Sequence, residues 1–163
     1  MIDLPIFKTT SGQTITKFQP QHLNRLDLRE PERSEVRDDP LILDRIAQTA
    51  DPLASWTGMF HGKPVVCFGI RTVSPGVGEA WLLPGVDIDR HAISVCRGSR
   101  KIYQHFLDER VFRRIHVVVD PANDTAFRFA KWNGFDVEGI MRKFGANGSD
   151  HLLMARISEH GLP

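Results

Sequence analysis

Cysteine is scarce in this chain: Cys67 and Cys96 are the only two in 163 residues, with no CxxC pair and no metal-ligand spacing. That excludes a disulfide scaffold and a thiolate metal centre, and it reads as two free thiols in a reducing compartment. Net charge is nearly absent too, since 21 Lys and Arg stand against 20 Asp and Glu. No global field therefore draws nucleic acid or an anionic membrane. No basic stripe interleaves with aromatics, which sets aside a nucleic-acid module. The opening MIDLPIFKTT has no basic-then-apolar signal pattern, and no apolar run approaches membrane length. The expected location is cytoplasmic, with no membrane partner and, as the histidines are scattered, no metal.

What is present suits one soluble domain spanning 1–163. Apolar residues make up 41% and charged residues 25%, ordinary values for a globular protein. Thr14–Phe18 alternates like a strand, and Gln21–Leu28 and Leu41–Ala50 have helical patterns. Between Pro31 and Pro40 the charges are mixed in sign, which predicts a solvated loop. Trp56–Phe60 and Pro64–Thr72 flank His61-Gly62 as a hairpin, and Ser74-Pro75-Gly76 marks the next turn. Glu79–Leu83 is a short strand. Arg90–Glu109 has helical spacing, made irregular by Gly98, which costs about 1 kcal/mol relative to alanine there. Glu138–Phe144 and His151–Ile157 flank Asn147-Gly148, a strong hairpin signal. The expected order is βααβββαβαββ, an α+β arrangement. A doubly wound fold needs more alternation, because each parallel pair requires its own crossover. The prediction is a mixed, mostly antiparallel sheet of six or seven strands with helices on both faces.

The richest stretch is His116–Gly139, HVVVDPANDTAFRFAKWNGFDVEG. A β-branched run ends at Asp120-Pro121, Asn123 or Asp124 caps a helix, and Asn133-Gly134 closes it. The placing of Asn123, Ala126, Gly134 and Phe135 resembles the end of the acetyl-CoA site in the GNAT acetyltransferase superfamily. The predicted element order is also similar to that fold.

The resemblance implies a second element, a glycine-rich loop that opens the long helix and holds the pyrophosphate of coenzyme A. Its physics is general: a helix start offers unpaired amides and the positive end of a dipole to an anion. Counting back from Asn123 by the family's spacing lands on His91, with Ser94 and Cys96 at the glycine positions. A shift by one gives Arg90, Ile93 and Val95. Arg97, Gly98, Ser99 and Arg100 offer an alternative anion grip one turn on, through guanidinium forks and free amides. The same residues also fit a plain amphipathic helix with a polar face. The pantetheine arm is expected along the strand at Leu82 and Leu83, wedged where that strand splays from the one at Val118. Where the family often has a tyrosine acid stands Ala130; the single tyrosine, Tyr103, lies on the other helix. By the same resemblance Glu79 is the first candidate for the base, before His91 and Asp120. Trp56, Trp81 and Trp132 read as core or rim.

A narrower similarity covers roughly residues 54–157, including WTGMFHGKPVVCFGI, AWLLPG and DRHAISVCRGSRK. These phrases resemble GNAT-like proteins of tailed phages and prophages, some of them internal virion components. Two readings follow from the resemblance: an acetyl-CoA-dependent N-acetyltransferase acting on a small-molecule or peptide amine, or a phage-particle protein of the same shape without catalysis. Candidate partners are that amine, a second copy paired through the terminal hairpin edge, and virion proteins. The location implied is then a host cytoplasm or a phage particle.

Overall fold

The computed structural model describes residues 12–159, and the chain divides into two compact units. One comprises the chain up to Arg71 together with Trp81–Ser94; the other comprises Thr72–Ala80 together with Val95 onward. The elements run β1 (Gln13–Lys17), α1 (Pro20–Arg25), α2 (Glu32–Asp38), α3 (Ile42–Thr49), β2 (Ser55–Phe60), β3 (Lys63–Ser74) and β4 (Val77–Pro84). A 3₁₀ turn at Ile88–His91 then leads into α4 (Ala92–Asp108), β5 (Arg114–Val119), α5 (Asp124–Trp132), β6 (Asp136–Met141) and β7 (His151–Ile157). Seven strands form a mixed sheet in the order β1-β2-β3-β4-β5-β7-β6. Pairing is antiparallel for β1–β2, β2–β3, β5–β7 and β6–β7, and parallel for β4–β5. The expected mostly antiparallel α+β sheet is what forms.

In the first unit, Leu23 of α1 and Leu26 just after it meet Cys67 of β3 and Leu83 of β4, with Phe18, Leu43, Ile46 and Trp81 packed around them. Pro20 opens α1, where a missing amide proton costs nothing. His61 and Gly62 both adopt positive φ between β2 and β3, the conformation a two-residue hairpin turn demands. At Gly69 the neighbouring chain passes very close: a Cβ there would lie 2.4 Å from Ser55 Oγ and 2.6 Å from the Ala54 carbonyl oxygen.

The charged run predicted as a loop contains α2 instead. No apolar periodicity announces this helix; polar contacts build it. Ser34 donates its amide and hydroxyl to Glu30 Oε2, at 3.2 and 2.6 Å. Glu32 is buried beside Arg29 at 3.7 Å. The chain therefore has five α-helices among the described residues rather than four.

In the second unit, α4 buries Ile102, Tyr103, Phe106 and Leu107. Tyr103 meets Phe135 edge to face at 5.2 Å, and Phe106 packs on Phe112 at 5.7 Å. Ile115 and Met154 are fully enclosed in the strands. Helix α5 ends as its sequence requires. Gly134 takes φ +85°, its amide bonds Lys131 O, and the Phe135 amide bonds Ala130 O, the paired bonds of a Schellman cap. Between β6 and β7 the turn sits at Asn147-Gly148 as expected, with Gly148 N donating to Gly145 O at 2.8 Å. The loop is wider than a two-residue hairpin, because β6 ends at Met141 and Lys143 N bonds Asp150 Oδ1.

Candidate active site

The second unit holds the site's polar centre. The parallel ladder between β4 and β5 covers three pairs, Val77–Arg114, Gly78–Ile115 and Glu79–His116. Beyond it β5 continues against β7 as far as Val119 opposite Leu152, while Ala80, next on β4, lies outside the parallel ladder. At the last pair, His116 Nε2 stands 3.4 Å from Glu79 Oε2, with side-chain exposures of 15% and 26%. His116 Nδ1 is buried with no hydrogen-bond partner. Two residues earlier on β5, Arg114 forks the carboxylate of Glu138 on β6, with Nη1 donating to Oε1 at 2.8 Å. The Arg114 hydrogen bonds, with the charges of Arg114 and His116, hold the Glu138 carboxyl below the usual carboxylate range.

Local sequence places Glu79 on a strand but does not pair it with His116. Glu79 falls on the alternate positions of a strand, and His116 opens the run HVVV as its lone polar residue. Their pairing joins residues 37 apart through a parallel register, which no local pattern encodes. The available signal was the polar residue itself, set at the start of an otherwise β-branched strand.

Asn123 caps α5. Its Oδ1 accepts from the Ala126 amide at 3.1 Å, and the residue is buried. Asp120, a lesser base candidate, accepts the Ala122 amide at 2.9 Å in the turn before that cap. Ala130, which stands where the resemblance puts a tyrosine, is buried. Tyr103 is enclosed, and burial pushes its hydroxyl well above the ordinary tyrosine range, so it is a core residue.

The remaining second-unit candidates lie along α4. Gly98 and Ser99 are buried within the helix, and the Ser99 hydroxyl donates to Val95 O at 2.7 Å. The free amides expected at these two positions are not there, because a helix leaves amides unpaired only in its first turn, and α4 begins at Ala92. Arg97 is exposed and Cys96 is half-buried, with its thiol pushed up by burial.

In the first unit, Leu83 belongs to the core cluster, so its side chain is committed to packing, whereas Leu82 is half-buried. The His91 ring is fixed: Gln13 Nε2 bonds its Nδ1, and Phe60 lies against it at 4.7 Å. Ser94 is half-buried, and Ile93, in the alternative register, is 69% exposed. The turn before α4 already uses part of its main chain, since the Arg90 amide bonds Asp87 O and the Ala92 amide bonds Asp89 O. Trp56 is core against Phe68, Trp81 meets Phe18 edge to face, and in the second unit Trp132 carries the Arg100 guanidinium 5.1 Å above its ring.

No protein-family model matches the sequence, and no curated protein matches it. Solved structures do. A GNAT-family acetyltransferase from Bacillus anthracis is similar with a TM-score of 0.69 at 12% identity, over 94% of this chain and 99% of that one. The ribosomal-protein-S5-alanine acetyltransferase from Vibrio fischeri is similar at 0.65 and 15% identity, over 97% and 100%. RimL, a ribosomal L7/L12 α-N-protein acetyltransferase solved with coenzyme A, is similar at 0.64 and 14% identity, over 94% and 97%. The fold is the GNAT fold. At such identities a GNAT likeness fixes architecture and leaves chemistry to the residues themselves. Among the described residues, no helix is long and apolar enough to cross a membrane.

Proposed function

We propose that the chain is an N-acetyltransferase that moves an acetyl group from acetyl-CoA to an amine on a small molecule or peptide, working in the cytoplasm as one domain. The observation that carries this reading is the end of the parallel ladder at Glu79 and His116, with β4 running on outside it. A strand freed from a ladder has main-chain donors and acceptors to give. In this reading Leu82 and Leu83 offer theirs to the pantetheine arm. Ser94, in the first turn of α4, stands where an anion meets the helix dipole, Cys96 flanks it with its side chain, and Arg97 adds a cation. Asn123 is the third contact.

Glu79 then serves as the base. An ammonium acceptor must lose a proton before its nitrogen can attack, and a half-buried carboxylate is suited to take it. The nitrogen bonds the thioester carbonyl, the C–S bond breaks, and the second nitrogen proton passes to water to leave the amide. With Ala130 in place of a tyrosine, the thiolate leaves without a protein acid. A thiol of pKa about 8.5 does so at modest cost near neutral pH.

Exposed Ile93 and buried Ala130 favour a second reading, in which a GNAT-shaped chain serves a tailed-phage particle without catalysis. Radiolabelled acetyl-CoA and a panel of polyamines, aminoglycosides and peptides separate the two. The enzyme reading expects label on at least one amine, falling roughly 100-fold or more in Glu79→Gln, the usual scale of a lost general base. No transfer to any class of amine favours the particle protein.

A further inference from the structure

We infer that His116 is a positioning residue for the acetyl transfer: it donates Nε2–H to Glu79 and so aims the carboxylate at the point where β4 leaves its ladder. This rests on the acetyl-transfer reading above. The geometry has three parts. Glu79 and His116 are register partners, so strand pairing fixes both backbones. Their facing atoms are 3.4 Å apart, and both side chains are mostly enclosed. His116 Nδ1 is buried with nothing to bond, so a proton there would be an orphaned donor, whereas one on Nε2 faces a carboxylate.

The Glu138 carboxylate also lies within electrostatic reach of the imidazole, but both of its oxygens accept from Arg114. Arg114, on the same strand, is engaged by Glu138 from β6, and the residue opposite His116 on β7 is Ala155, buried and uncharged. During transfer Glu79 takes the ammonium proton, the C–N bond forms, the C–S bond breaks with release of the thiolate, and the second nitrogen proton passes to water, which leaves the neutral amide. The His116 bond keeps the carboxylate from turning away, and the imidazole itself gains no proton.

Nitrogen-detected correlation of ring ¹⁵N with ring protons reads the tautomer in the wild-type protein directly. The expected result is the Nε2–H form, lost to a mixture in Glu79→Leu. A dominant Nδ1–H form overturns the proposal whatever the activity. Kinetics supply the second arm. His116→Leu is expected to lower kcat about 10- to 100-fold, the usual cost of losing a residue that orients a site group. KM for acetyl-CoA should stay within a factor of about two, because binding of the donor is untouched. His116→Gln, which keeps an N–H near the Nε2 position, should recover most of kcat. A folded Leu variant with wild-type kcat sinks the role of His116 while leaving acetyl transfer standing. A wild-type protein that transfers to no amine sinks acetyl transfer and this role with it.

Discussion

Phe135 closes the stretch that most clearly marks the fold, and its worth can be set out in advance. The ring is 2% exposed and meets Tyr103 edge to face at 5.2 Å. Phe135→Leu forfeits that pair, worth about 0.5–1.5 kcal/mol beyond area burial. It also gives up about 1 kcal/mol of transfer and packing for the lost carbons. The sum is about 2 kcal/mol, or a fall in Tm of about 4–8 °C for a chain of this size. Urea unfolding of wild type, Phe135→Leu, Tyr103→Leu and the double variant closes a cycle. A coupling of about 0.5–1.5 kcal/mol is expected, with m unchanged. Coupling below about 0.3 kcal/mol, the scatter of independent sites, refutes the claim that this motif survives as architecture through its ring contact.

Other outcomes follow from single sites. His22 is buried on α1, accepting the Gln19 amide at Nδ1 and meeting Thr57 Oγ1 at 2.8 Å; burial, then the Arg25 charge, lowers its pKa. A group lowered on folding contributes stability that is present above its unfolded value of about 6.5 and lost as pH falls, so unfolding free energy should drop from pH 7 towards pH 5, with a shallower slope in His22→Gln. Gly69→Ala should cost about 2 kcal/mol by overpacking against Ser55 and the Ala54 carbonyl, measured by urea midpoint. Of the two free thiols, Cys67 is wholly buried and pushed up to about 11 by burial. A disulfide reagent at pH 8 should therefore label Cys96 first and reach Cys67 only on unfolding, as counted by mass spectrometry.

Much of the fold was legible because its cues are local. Asn123, Gly134 and Phe135 each satisfy a rule of helix ends, and His61-Gly62 satisfies a rule of hairpins; caps and turns are written in a few consecutive residues. Helix α2 was not legible, because Glu30, Ser34, Arg29 and Glu32 hold it by polar contacts that leave no apolar period. The long helix was expected over Arg90–Glu109 and forms over Ala92–Asp108 after a turn at Ile88–His91; Gly98 and Ser99 lie inside it under either start, where the helix itself occupies their amides. Glu79 was legible through family likeness alone. His116 was invisible beside it, since a parallel register between distant strands has no local signature. The glycine-free opening of α4 can be read from sequence and structure alike, and there the two agree on what is missing.

Calorimetric titration of the full chain with acetyl-CoA decides whether this fold still holds an acetyl donor. Saturable one-to-one binding is expected, with a Kd between about 1 μM and 1 mM, the range of enzyme KM values for such substrates. At tenfold excess over Kd the same complex should add about 1.4 kcal/mol of stability to a parallel melt. Absence of heat and of any thermal shift at millimolar acetyl-CoA would contradict it, and would leave a GNAT fold that has kept its architecture and given up its donor.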